Sequence, residues 1–121
     1  MRYSLNLMLP PTANHRLIPA NGRLVTSPKM RKWKDYASNH VTEVVKALNL
    51  DEPVKGRVAV SLMIQWPDKR RRDIDGPVKP ILDALVKGGL IEDDSNIKEF
   101  VAFIDDGVGD GGVGIEIDTM E

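Results

Sequence analysis

Val58-Ala59-Val60-Ser61-Leu62-Met63-Ile64-Gln65-Trp66 alternates strictly: Val58, Val60, Leu62, Ile64 and Trp66 share one face, and Ala59, Ser61, Met63 and Gln65 the other. A period of two is the signature of a β-strand, here with one strongly apolar face and one mixed face. Pro67 ends the strand and a charged loop follows. From Pro77 to Lys87 the period changes. Val78, Ile81, Leu82 and Leu85 form a helical stripe, and Pro77 and Pro80 occupy the first turn, where a missing N–H costs least. Gly88-Gly89 then stops the helix.

Working outward, Ser27 reads as a helix N-cap with Pro28 in the first helical position. Met30, Trp33, Ala37, Val41, Val44 and Leu48 recur every three or four residues, so a helix of about five to six turns carries one apolar stripe, closed by Asp51-Glu52-Pro53. Upstream, Tyr3, Leu5, Leu7 and Leu9 alternate with polar residues as a first strand that Pro10-Pro11 ends. Residues 12–21 are polar and read as a loop before a short strand at 22–26. Downstream, Ile97–Ile104 and Val113–Ile117 read as two strands joined by a Gly/Asp-rich hairpin turn. The order β-β-α-β-α-β-β predicts a single α+β (α/β) domain over residues 1–121, a mixed sheet of four to five strands with helices packed on it.

The 121 residues suit one domain, and 41% hydrophobic with 29% charged residues exclude disorder and fibrous repeats. With no cysteine and only His15 and His40, thiolate chemistry, zinc-thiolate sites and histidine-rich metal sites are excluded. His15 reads as a loop residue and His40 as a helix-surface residue. Any bound metal would have oxygen ligands, favouring magnesium, manganese or calcium. No apolar run suffices to span a membrane and no signal peptide is evident, so a cytoplasmic location is expected. The net charge of −1 is unevenly distributed: residues 1–50 carry +6, residues 51–90 carry +2 and residues 91–121 carry −9. A basic majority of this kind suits a polyanion, although scattered surface charge is the plainer reading.

Chemistry concentrates between Asp68 and Lys79. Lys69, Arg70, Arg71 and Arg72 are four consecutive cations, the type of loop that contacts phosphate oxygens along a nucleic-acid backbone. Asp73 and Asp75 follow, one residue apart. In extended geometry they share a side, where two carboxylates repel unless a divalent cation lies between them. Lys79 and Asp83 share the helix's polar face at i, i+4, and Glu92-Asp93-Asp94 offers a third acid after the chain turns back. Three carboxylates, a lysine and a basic loop suit metal-assisted phosphodiester hydrolysis. Taken alone, Asp-x-Asp is more often a helix-capping turn, and an arginine run is more often a solvated loop.

Other motifs fit less well. A haloacid-dehalogenase-like phosphatase places its Asp-x-Asp directly after a buried strand, whereas four basic residues intervene here. Residues 105–116 superficially match a calcium loop but have glycines where ligands belong.

Arg70-Arg71-Arg72-Asp73-Ile74-Asp75, Lys79, Asp83-Ala84-Leu85, Lys87-Gly88-Gly89 and Asp93-Asp94, together with the opening Leu9-Pro10-Pro11-Thr12-Ala13-Asn14, resemble the RusA-type Holliday junction resolvases in order over most of the chain. The resemblance implies a homodimer that binds four-way DNA junctions and cuts two strands with Mg2+, or Mn2+. It also implies Asp73, Asp75 and Asp94 as catalytic, metal-holding acids, Lys79 as the functional lysine, and Lys69, Arg70, Arg71, Arg72 and Asn14 on the DNA. Gly76-Pro77 departs from the family's usual Asn and apolar residue, which removes any hydrogen bond that Asn makes. The apolar faces of the first helix and of the 58–66 strand are expected to exceed one small core and to leave part of a face for the dimer. The competing reading is a non-catalytic junction-binding dimer with the same fold.

Overall fold

The computed structural model describes residues 1–12, 17–70, 72–107 and 109–120. Asn14, His15 and Arg71 lie outside the described residues. Among the described residues six strands and two helices follow in chain order: β1 (Arg2–Leu7), β2 (Leu17–Ala20), β3 (Arg23–Thr26), α1 (Pro28–Ala47), β4 (Val58–Trp66), α2 (Val78–Lys87), β5 (Ile97–Asp106) and β6 (Gly112–Thr119), with a 3-10 turn at Asp94–Asn96. The main sheet has the order β1-β6-β4-β5, parallel only between β4 and β5. The expected mixed sheet with helices is therefore present, with four strands.

Alternation in β4 works as the sequence predicts. Val58, Val60, Leu62, Ile64 and Trp66 are buried, and they join Met30, Trp33, Ala37 and Val41 of α1 and Ile81, Ala84 and Leu85 of α2 in one core. Each fully buried aliphatic side chain of this kind stabilises the fold by about 1.5–3 kcal/mol. The apolar face of β4 that was expected to leave surface for a partner is thus consumed inside the chain, whereas the α1 stripe is buried only as far as Val41, with Val44 half-buried and Leu48 40% exposed. The opposite sheet face, carrying Ser4, Asn6, Met63, Phe103 and Glu116, stays open and forms a depression of about 410 Å³.

Ser27 caps α1 by accepting a 3.1 Å hydrogen bond from the Met30 amide, with Pro28 beginning the helix. The helix stops at Ala47, before Asp51-Glu52-Pro53, because Asn49 takes a left-handed φ of 57°. The two helices approach most closely at Gly88. A Cβ there would overlap Val41 and lie 2.9 Å from the Ser38 carbonyl oxygen, and the Thr42 hydroxyl donates to the Gly88 carbonyl at 3.1 Å.

Two readings of the chain change. Leu17–Ala20, read as loop, is a strand that pairs with β3 in a separate two-stranded ribbon. Its turn is Asn21-Gly22, both with positive φ (51° and 77°), the dipeptide favoured in tight hairpins. The Gly/Asp-rich stretch is also not a hairpin. β5 and β6 lie on opposite sides of β4, so the connection from Asp106 to Gly112 does not join neighbouring strands. The passage is tight: at Gly111 (φ 84°) a Cβ would sit 2.8 Å from the Gln65 carbonyl oxygen and 3.0 Å from Leu9 and Pro67. Local turn composition suggested a hairpin, but the parallel pairing of β4 with β5 across α2 takes precedence.

Candidate active site

The basic loop leaves the end of β4 already folded upon itself. Asp68 accepts hydrogen bonds from the Arg70 amide (3.0 Å), Arg70 Nε (3.2 Å) and Arg72 Nη1 (2.8 Å). The Arg72 guanidinium also stacks over the Trp66 ring, 4.5 Å from its centroid. Arg72 therefore shapes the loop, its side chain only 16% exposed, whereas Lys69 and Arg70 face solvent.

The Arg72 hydrogen bond, helped by the Arg70 amide, holds the Asp68 carboxyl down to about 2. A depressed acid contributes stability above its unfolded value near 3.8, and this contribution is lost as pH falls through about 2. The loop is accordingly expected to keep its shape at pH 4. Arg72→Ala should move the Asp68 midpoint up towards 3.8 in a carbon-detected NMR titration. An unmoved midpoint would show that Arg72 does not set it.

Asp73 and Asp75 end the loop, both exposed. They do not form the expected extended pair. Residues 74–77 make a turn, with the Gly76 amide donating to the Asp73 carbonyl at 3.4 Å and the Val78 amide donating to that of Asp75 at 3.1 Å. The turn delivers the chain into α2 without a side-chain cap.

One turn into α2, Lys79 donates to Asp83 at 2.8 Å, the predicted i, i+4 pair, and to Asp94 at 3.4 Å. Asp83 first, and Asp94 second, push the ammonium further towards its charged form. Asp94 arrives because the segment before it is fixed. Leu90 and Ile91 are fully buried, and residues 90–92 pair with Val54 through Val54 N–H to Leu90 O at 2.8 Å and Glu92 N–H to Val54 O at 3.1 Å. Asp93, by contrast, is engaged by the Ser95 hydroxyl at 2.6 Å, which lowers its pKa.

Lys79, Asp83 and Asp94 thus come together, while Asp73 stands beside Arg70 and Arg72 along a groove of about 970 Å³. Among the described residues no three acidic or imidazole side chains converge as a ready-made metal cage. The donors are exposed carboxylates at the end of a cationic loop, which suits a hard divalent ion. Magnesium takes one or two protein carboxylates and fills its remaining positions with water and phosphate oxygens. The residues fit such an open, water-rich site.

Sequence reasoning missed Asp68 as the organiser of the loop, although Asp68 and Arg72 stand at i, i+4. It also missed the far wall of the groove on α1. Trp66 lines this groove, and among the described residues its buried indole N–H has no acceptor.

The Endodeoxyribonuclease RusA family model matches residues 8–118. A crossover junction endodeoxyribonuclease of Enterobacteria phage HK97 is 29% identical over 98% of this chain and 96% of its own length. Proteins of the same description from Shigella sonnei (strain Ss046) and Escherichia coli (strain K12) are 32% and 31% identical, each over 81% of this chain and 78% of the relative. The matched span begins at the end of β1, takes in both helices and the whole acidic and basic loop, and runs into β6. A correspondence that continuous identifies the chain as a member of the RusA family of endodeoxyribonucleases.

Proposed function

We propose that this chain is a structure-specific, Mg2+-dependent DNA endonuclease that resolves Holliday (four-way) junctions by paired, symmetric phosphodiester hydrolysis, as a cytoplasmic homodimer serving DNA recombination and repair. The observation that carries the reading is the Lys79 link. It draws Asp94 from beyond α2 to the lysine that enters the helix four residues after Asp75, inside a stretch shared with relatives named crossover junction endodeoxyribonucleases. Among the described residues no helix is long and apolar enough to cross a membrane.

Asp73, Asp75 and Asp94 would hold the metal. When bound, magnesium or manganese supplies polarisation of the phosphodiester and activation of water for attack. Lys79, kept charged by Asp83 and Asp94, offers its one remaining N–H donor to a non-bridging phosphate oxygen, where negative charge grows as water attacks. Lys69 and Arg70 face solvent and reach neighbouring phosphates. Arg72 acts through the loop shape that it maintains with Asp68 and Trp66.

Two opposed cuts need two sites, and one chain carries one set of acids. Support for a second copy comes from β5. It is an edge strand with Phe100, Val101, Phe103 and Ile104 each 38–50% exposed, beside Met63 at 39% on the open sheet face. An unpaired edge of this length with apolar side chains is a template for association, and two-fold pairing there would set two acid clusters in symmetry.

Incubation with a labelled four-way junction and Mg2+ should yield paired symmetric nicks. Phe103→Lys should shift the protein to a monomer in sedimentation and turn paired cuts into isolated nicks. Binding without any cleavage would favour the non-catalytic junction binder, and a native monomer that makes both cuts in one binding event would defeat the dimer.

A further inference from the structure

Lys29, Lys32, Trp33 and Tyr36 stand at i, i+3, i+4 and i+7 on α1, so one stripe of the helix combines two cations with two aromatic rings. That stripe faces the groove shared with Arg70, Arg72 and Asp73. Its rings are held in place from the other side. The Trp33 indole donates to the Met8 carbonyl at 3.0 Å, the Met8 amide donates to the Tyr36 hydroxyl at 2.9 Å, and His40 stacks on Tyr36 with centroids 6.0 Å apart. Both backbone polar groups of one residue thus tie the end of β1 to α1, and Pro10-Pro11 extend the same wall. Among the described residues neither Lys29 nor Lys32 has an ion-pair partner, unlike Lys46, Lys55 and Lys79 elsewhere on the chain.

A rigid apolar wall flanked by unpaired cations is the composition of a site for a single nucleic-acid strand, with phosphates on the lysines and a base face on the wall. Duplex DNA offers only base edges to a protein surface, so a wall of ring and proline surface finds no counterpart there. At about 970 Å³ the open groove has room for one nucleotide. A four-way branch point interrupts base stacking, and the cost of extruding a base is least where it is already unpaired.

Resting on the junction-resolving reading above, we infer that this groove receives one nucleotide unstacked from the branch point, its base against the half-buried Tyr36 and Pro11, which the buried Trp33 and Pro10 back, and its flanking phosphates on Lys29 and Lys32. The groove adjoins Asp73, so capture of that nucleotide positions the strand beside the acids. Discrimination between a junction and a duplex then resides partly on α1, remote in sequence from the acidic motif.

The test uses the full-length protein without Mg2+ and a four-way junction carrying 2-aminopurine at the branch point, with the matching duplex as control. Native protein should raise the fluorescence several-fold on the junction and leave the duplex unchanged. Lys29→Ala/Lys32→Ala, both on the exposed helix surface, should weaken junction binding about tenfold and reduce the salt slope by about 1.5–2. Tyr36→Leu should abolish the fluorescence rise, and Tyr36→Phe, which keeps the ring, should retain it. A junction bound tightly with no fluorescence change, or lysine and tyrosine variants indistinguishable from native, would overturn the inference while leaving the nuclease assignment intact. Failure to bind the junction at all would overturn both.

Discussion

Asp75→Asn is expected to reduce junction cleavage by roughly 10²–10³-fold or more, the scale seen when one group that stabilises transition-state charge is removed, while junction binding stays equal or tightens. Asp73→Asn and Asp94→Asn should behave alike. The asymmetry between chemistry and binding follows from charge. All three side chains are exposed, and on the proposed assignment removing one negative charge would relieve repulsion with the phosphates even as it would deprive the proposed metal of a ligand. Asp94→Asn has a second effect, because it frees Lys79 from one of its two acids and leaves the ammonium held by Asp83 alone. Single-turnover cleavage and gel-shift titration separate the two quantities. Native cleavage rates in all three variants would remove these acids from the mechanism.

The second large effect is on stability, at Gly88. Its φ of −75° is open to any residue, so what excludes a side chain is space alone: Val41 and the Ser38 carbonyl occupy the volume a Cβ would need. Gly88→Val should cost about 3 kcal/mol, at the upper end of overpacking penalties, and lower the melting temperature by roughly 10 °C. Gly89 supplies the contrast. It has a φ of 88° with nothing near its would-be Cβ, so Gly89→Ala should cost only about 1–2 kcal/mol, through backbone strain. Thermal melts of the two variants measure the difference. Equal, small losses would mean that the helices separate freely at this point, and the tight α1–α2 contact would not be a stability determinant.

Local rules explain why much of this fold is readable from residues. The Ser27-Pro28 start of α1, the alternation of β4 and the Lys79–Asp83 pair each depend on neighbours within a few positions. Asp94 was in view because Gly88-Gly89 stops α2 and turns the chain back. What escaped depends on distant pairing. β2 is a four-residue strand, largely exposed, with no apolar alternation to betray it; only Asn21-Gly22, just ahead of the short strand that was expected at 22–26, hints at the pairing. Glycines at 107, 109, 111 and 112 suggested a hairpin, but the close passage against the end of β4 is at Gly111 alone, and the others take positive φ with no tight neighbour. The α1 wall of the groove was hidden for the same reason, since it exists only once the end of β1, the first turns of α1 and the loop after β4 are brought together.

Because β6 lies between β1 and β4, a strand translated after all the other described strands fills an interior place in the sheet. Until it inserts, β1 has no partner within the sheet, and the antiparallel edge of β4 is bare. Assembly must therefore wait on pairings that span most of the chain, such as Arg2 with Asp118 and Tyr3 with Ile117, and long-range closure of this kind slows folding. Synthesis that halts before residue 112 leaves both helices and the entire acidic loop translated yet without their scaffold, so a truncated product would lack an assembled site despite carrying every residue assigned to catalysis. Synthesis of β6 and assembly of the site are in this way coupled by topology.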